Sequence, residues 1–202
     1  MDEEEVRMSQ ATIPGYRMGD PTLPKGALDA EAFERVCAAT LFTDEDRKAL
    51  REAKEIVAPH VEELLDVWYG FVGSHDFLLA SFSGPEGPNG DYLARVRARF
   101  GRWVLDTLEA EYDQAWLDYQ AEVGRRHARG KNETDGVRET PDHVAYRYVV
   151  ALIYPIYATI RDFLAKGARD AEHLERMHQA WLKAVILNVA VWSQAYVDPD
   201  LY

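Results

Sequence analysis

Apolar side chains recur every three or four positions over most of this chain. Val61, Leu64, Leu65, Trp68 and Val72 form one such stripe, and Tyr92, Val96, Phe100, Trp103, Val104 and Leu108 form another. This spacing matches the 3.6-residue turn of an amphipathic helix, so both segments are predicted to be helical. Start signals mark further helices. Asp29 suits the N-cap of a short helix over 30–39, and Thr43 with Asp46 makes a capping box for a second, to about Ala58. Pro59 suits the first turn of the third helix, which carries the first stripe. Trp116, Tyr119 and Val123 share one side of a helix predicted from Tyr112 to about Arg129.

Two long helical segments close the chain, over about 142–166 and 170–196. Pro155 lies inside the first, where it removes a backbone hydrogen bond and crowds the preceding turn, so a kink is predicted near Ile153. The second is apolar almost all round, as in WLKAVILNVAVW (181–192). A helix of that kind must be covered on every side, so a homodimer through the two C-terminal helices is expected. SGPEGPNG (83–90) and GKNETDGVRETP (130–141) read as polar breaks. No segment alternates with period two, so the predicted fold class is all-α, with seven or eight helices. Residues 1–26, acidic and then rich in proline and glycine, are predicted to be an extended arm, with 27–202 a single domain.

Composition narrows the function classes. A formal charge of −12 works against binding nucleic acid or an anionic membrane surface. Cys37 is the only cysteine, which leaves no intrachain disulfide and no cysteine-based zinc site. The start, MDEEEVRMSQ, is acidic where a secretory signal would be basic, and no run approaches about 18 uninterrupted apolar residues. A soluble, cytoplasmic protein is expected.

The candidate chemistry lies in the histidines. His60, His75, His143 and His173 fall at helix ends or on polar turns, where solvated imidazoles are expected, and His178 beside Leu174, Met177 and Trp181 suits a buried, hydrogen-bonded structural role. His127 continues the Trp116, Tyr119, Val123 face, so its ring is predicted to point inward. Two readings compete. With Arg125, Arg126 and Arg129 it can complement the carbonyl end of its helix, or it can ligate something buried. On the third helix, Trp68 and Tyr69 project about 100° apart and can form two walls of one pocket. One axial imidazole opposite a dry aromatic pocket with a hydroxyl donor is what haem iron needs to bind a diatomic gas. The arginines then suit the two haem carboxylates.

The runs DVWYGFVGSH (66–75), RVRARFGRWVLDT (95–107), YDQAWLDYQAEVGRRH (112–127) and YRYVVALIYPIYATI (146–160) resemble the protoglobins, single-domain relatives of the globin-coupled sensors. IPGY (13–16) and QAWLKAVILNVAVWS (179–193) extend the resemblance to nearly the whole chain from residue 13. It implies a globin fold with an extra N-terminal helix, haem b held by His127, and Trp68, Tyr69 and Phe100 on the distal side. It also implies pocket walls from Val96, Val149, Leu152 and Ile156, an Arg99 contact to a haem propionate, and an arm folded over the haem edge. Leu152 stands where a bulkier aromatic is expected.

The leading functional expectation is therefore a haem protein that reversibly binds O2, CO and NO. The alternatives are a haem-dependent redox enzyme, of nitric oxide dioxygenase, peroxidase or carbene-transfer type, and a gas sensor acting through a separate partner. A carboxylate-bridged di-metal bundle needs two Glu-x-x-His pairs, and only Glu175 with His178 has that spacing. No Gly-x-Ser-x-Gly turn supports nucleophilic catalysis.

Overall fold

The structure, a computed structural model, describes residues 13–202. The first ten helical residues form α1 (Ala30–Ala39), where the Asp29 carboxylate accepts from the Ala32 N–H at 2.8 Å. In α2 (Asp44–Val57) the Thr43 N–H donates to Asp46 at 2.8 Å, closing the expected capping box. Pro59 opens a single 3₁₀ turn (Ala58–His60) rather than α-helix, and α3 (Val61–Gly73) follows it directly. After the one-turn α4 (Asp76–Leu79), the break at 83–90 contains a minimal antiparallel hairpin, Ser83–Gly84 (β1) with Gly87–Pro88 (β2).

Asn89 caps α5 (Gly90–Glu109) and Asp113 caps α6 (Gln114–His127), each carboxamide or carboxylate oxygen accepting a backbone N–H of the first turn. The segment containing Pro155 is divided at Leu152 into α7 (Tyr146–Ala151) and α8 (Ile153–Ala165). A proline nitrogen has no proton for the carbonyl of Ala151, so the ladder is interrupted one turn before it, beside the predicted kink. Asp170 caps the closing helix α9 (Ala171–Ser193), accepting from the His173 N–H at 2.7 Å. The described residues are all-α apart from the small hairpin, in agreement with the predicted class.

The core is built around α9. Met177, Trp181, Val185, Leu187 and Val191 are each at most 1% exposed, packed with Leu50 and Val57 of α2, Trp116 and Leu117 of α6, and Ile160 and Leu164 of α8. Burying an aliphatic side chain fully contributes roughly 1.5–3 kcal/mol, so this contiguous cluster is the main source of stability. Two of its tryptophans are tied by hydrogen bonds: the Trp103 Nε1–H donates to Asn188 Oδ1, and the Trp192 Nε1–H to Gln120 Oε1, both at 2.9 Å.

Cover for α9 comes largely from α2, α6 and α8 of its own chain, so its all-round apolar character does not by itself require a partner. Exposed apolar side chains occur instead on other elements, among them Val150 of α7 (43%) and Tyr154 of α8 (70%), with Val67 of α3 and Phe77 of α4 also exposed. Taken across its break, Tyr146–Ala165 is long and apolar enough to cross a membrane by length and composition alone.

Two histidine expectations meet different outcomes. His173, expected in solvent, is buried: its Nδ1 accepts from the Arg169 N–H, and its Nε2–H donates to Glu52 at 2.8 Å. Glu52 is 121 positions away in sequence, which is why no local pattern signals the pair. His178 is buried as expected, donating from Nε2 to the Tyr157 carbonyl at 2.8 Å and stacking on the Tyr157 ring.

Candidate functional site

The cap at Asp113 and the inward stripe of α6 bring His127 to the last residue of that helix, facing a cavity of about 220 Å3. Two features fix the imidazole. Nδ1 lies 2.9 Å from the Val123 carbonyl, and since a carbonyl only accepts, Nδ1 carries the proton and Nε2 the lone pair. The ring also stacks on Trp192, with centroids 4.8 Å apart and planes 17° from parallel. Nε2 has no hydrogen-bond partner among the described residues. The residue is half-buried and lines the cavity. Burial, helped by the nearby Lys131 charge and opposed by the Val123 bond, holds its pKa below the ordinary 6.5, so it is neutral at neutral pH.

All nine residues singled out from sequence line this one cavity. From α3 come Trp68 and Tyr69; from α5, Val96, Arg99 and Phe100 at i, i+3 and i+4; from the α7–α8 break, Val149, Leu152 and Ile156. Phe100 is the aromatic hub, 5.6 Å from the Trp68 ring, 6.4 Å edge-on from Tyr69, and stacked on Trp103 at 5.4 Å. The Tyr69 hydroxyl has no protein partner among the described residues. Burial raises its pKa well above the usual value, so it remains a proton donor. The Leu152 side chain sits where Pro155 interrupts the helix, so the same break that bends the segment shapes this wall.

Several lining residues escaped sequence reasoning. Val185, Val189 and Trp192 of α9 and Trp103 of α5 lie on helices whose apolar stripes were legible but whose facing partners were not. Lys131, Thr134 and Asp135 belong to the 130–141 break, whose composition reads only as loop. Gly124 carried no signal either, yet it decides how α6 meets α9: a Cβ there would stand 2.8 Å from the Cα and carbonyl oxygen of Trp192.

The mouth of the cavity is strapped by residues 13–16. The Arg99 Nη1 donates to the Pro14 carbonyl at 2.7 Å, and the Arg126 Nη1 to the Gly15 carbonyl at 2.6 Å. Tyr16 donates its hydroxyl to Asp106 at 2.8 Å and meets Tyr119 edge-on at 5.1 Å. Gly15 has φ of +79°, and a Cβ there would stand 2.7 Å from Thr134 and 2.8 Å from Arg99. Arg99 is further held by Asp135, at 2.5 and 3.1 Å, a carboxylate that Arg95 shares.

The arrangement suits haem on its own evidence. A neutral imidazole offers one unpartnered nitrogen, a hydroxyl donor is left over, and the walls between them are apolar and aromatic. Among the described residues no three His, Cys, Asp or Glu side chains converge to hold a bare metal ion.

The family model described as Protoglobin matches residues 29–201. Among solved structures, the globin domain of the Geobacter sulfurreducens globin-coupled sensor superposes with a TM-score of 0.60 at 15% identity, covering 82% of this chain and 97% of that domain. At that identity the likeness shows the fold, which is globin-like. No curated protein matches the sequence. The matched span takes in every helix described above and the whole cavity lining, and on it the chain belongs to the protoglobin family, globins that bind haem.

Proposed function

We propose that this cavity holds haem b through His127 Nε2 and that the protein reversibly binds O2, CO and NO. The observation that carries the reading is the His127 imidazole, with Nδ1–H committed to Val123 and Nε2 unpartnered in an apolar cavity. When bound, haem supplies a ferrous iron with one coordination position open to a diatomic ligand. The remaining work belongs to the chain. The Val123 carbonyl fixes the tautomer that leaves Nε2 able to donate its lone pair, as partners of metal-ligating histidines commonly do. Trp68, Phe100, Val149, Leu152 and Ile156 exclude water from the ligand's side. Tyr69, protonated and without a protein acceptor, donates a hydrogen bond to the polarised atom of the gas. Arg99 and Arg126, which fasten residues 13–16, would supply cations for the tetrapyrrole carboxylates.

We read the outward apolar face of α7 and α8, with Val150 and Tyr154, as the surface that pairs with a second copy. Continuity with α9, against which α8 packs, supports a dimer that uses both C-terminal helices.

The test is the visible spectrum of His127→Ala beside the wild type. The wild type is expected to take up hemin and, once reduced, to show a five-coordinate ferrous spectrum that shifts with CO. The variant is expected to lose that species. A wild type that stays colourless with added hemin, or a variant with an unchanged spectrum, rejects the proposal.

A further inference from the structure

The side chains at the cavity mouth are unevenly neutralised. Arg99 faces the carboxylate of Asp135, and Arg126 faces Glu122 at 2.8 Å. Lys131 lines the same cavity and is 5% exposed, yet it forms no ion pair among the described residues. Its ammonium donates to Asn132 Oδ1 at 3.1 Å, Thr140 Oγ1 at 3.0 Å and the Pro141 carbonyl at 2.9 Å. All three acceptors are neutral. They satisfy its hydrogen bonds and tie the 130–141 loop to itself, but no carboxylate is in contact with the buried ammonium among the described residues; the nearby Asp142 acts on it only through space. The Tyr92 ring, 5.3 Å away, offers only the weak attraction of an aromatic face.

We propose that Lys131 is a carboxylate anchor of this cavity, pairing with one acidic side arm of the bound tetrapyrrole. The proposal rests on the haem reading above and adds to it the group that neutralises this lysine. A buried cation whose hydrogen-bond partners are all neutral is costly, and an arriving carboxylate lowers that cost by displacing one of the three neutral acceptors and taking its donor in a charge-assisted bond. Burial has already pulled the amine down to about 8, outweighing the opposing pull of the nearby Asp142 carboxylate. Arg99 is less in need of the ligand, because Asp135 already meets its guanidinium at two oxygens.

Hemin and hemin dimethyl ester, which lacks the two negative charges, separate anchoring by charge from simple loop support. Both are loaded into the wild type and Lys131→Gln, and their loss is timed by transfer to excess apomyoglobin. In the wild type hemin is expected to be retained better than its ester. In Lys131→Gln hemin should leave on the order of tenfold faster, a factor equal to about 1.4 kcal/mol, with the ester nearly unaffected. Equal acid-to-ester ratios in the two proteins overturn the proposal, as does a ratio that collapses in Arg99→Gln alone. A wild type that takes up neither compound fails the haem reading instead.

Should Lys131→Gln not fold, carbodiimide treatment of the hemin-loaded wild type replaces it. The carboxylate and the Lys131 amine condense to an amide, with the water passing to the carbodiimide to give a urea. The haem mass on the Lys131 peptide supports the anchor. Its appearance only on another lysine, or nowhere, refutes it.

Discussion

Gly124→Ala puts the packing beneath His127 to a test whose sign is decided by geometry. By local preference alone the change is favourable, since alanine exceeds glycine by about 0.5–1 kcal/mol in a helix interior. The new methyl group would nevertheless stand 2.8 Å from both the Cα and the carbonyl oxygen of Trp192. Backbone cannot rotate aside as a side-chain tip can, so α6 and α9 must separate. Overpacking of this kind costs typically 1–3 kcal/mol. The expected net result is destabilisation by about 1–2 kcal/mol, which for a chain of this length lowers the melting temperature by roughly 2–8 °C. Gly101→Ala is the internal control. Its Cβ would meet side-chain tips rather than backbone, Leu65 Cδ1 at 3.1 Å and Val61 Cγ2 at 3.8 Å, so a shift of the Leu65 tip by a few tenths of an ångström should preserve the propensity gain and stability should hold or rise. Scanning calorimetry of the two apo variants beside the wild type measures both. A Gly124→Ala melting temperature at or above the wild type would refute the close-contact argument and with it the view that Trp192 holds the imidazole in place.

Two further outcomes follow from the site and the core. Tyr69→Phe in the haem-loaded protein is expected to speed O2 release by about 5–30-fold, the factor for a hydrogen bond worth roughly 1–2 kcal/mol, and laser photolysis or stopped-flow mixing would detect an unaltered rate if the hydroxyl is not a donor. For His178, burial outweighs the opposing Tyr157 bond and Glu175 charge and lowers the folded pKa below 6.5, so the unfolded chain takes up the proton first as pH falls. Stability present above pH 6.5 is thus lost below it, by at most about 1.4 kcal/mol per pH unit from this group. Urea midpoints between pH 7 and 5 should fall less steeply in His178→Gln, and an identical slope would exclude this residue as a source of acid sensitivity.

What the sequence discloses follows the range of each interaction. Caps and stripes are local, so Asp29, Thr43 with Asp46, and the inward face ending at His127 were legible. The adjacent aromatics Trp68 and Tyr69 were legible as pocket walls because helix geometry alone fixes their divergence. Partners distant in sequence were not. Nothing near His173 announces Glu52, and nothing near Gly124 announces the backbone of Trp192. Loop composition was least informative: the 130–141 segment reads as a plain polar turn, yet it delivers Lys131 and Asp135 to the cavity. The all-round apolar last helix suggested a missing partner, whereas much of that surface meets its own chain, because a central helix looks the same in sequence as an interfacial one.

The strap at the cavity mouth also constrains the order of assembly. Residues 13–16 leave the ribosome well before positions 99 and 126, whose guanidinium groups fasten them and must be synthesised and folded before the segment can dock. A pigment the size of a tetrapyrrole has its widest entry while that fastening is still undone. Cofactor supply during synthesis, rather than after it, would then govern how much coloured protein a cell accumulates.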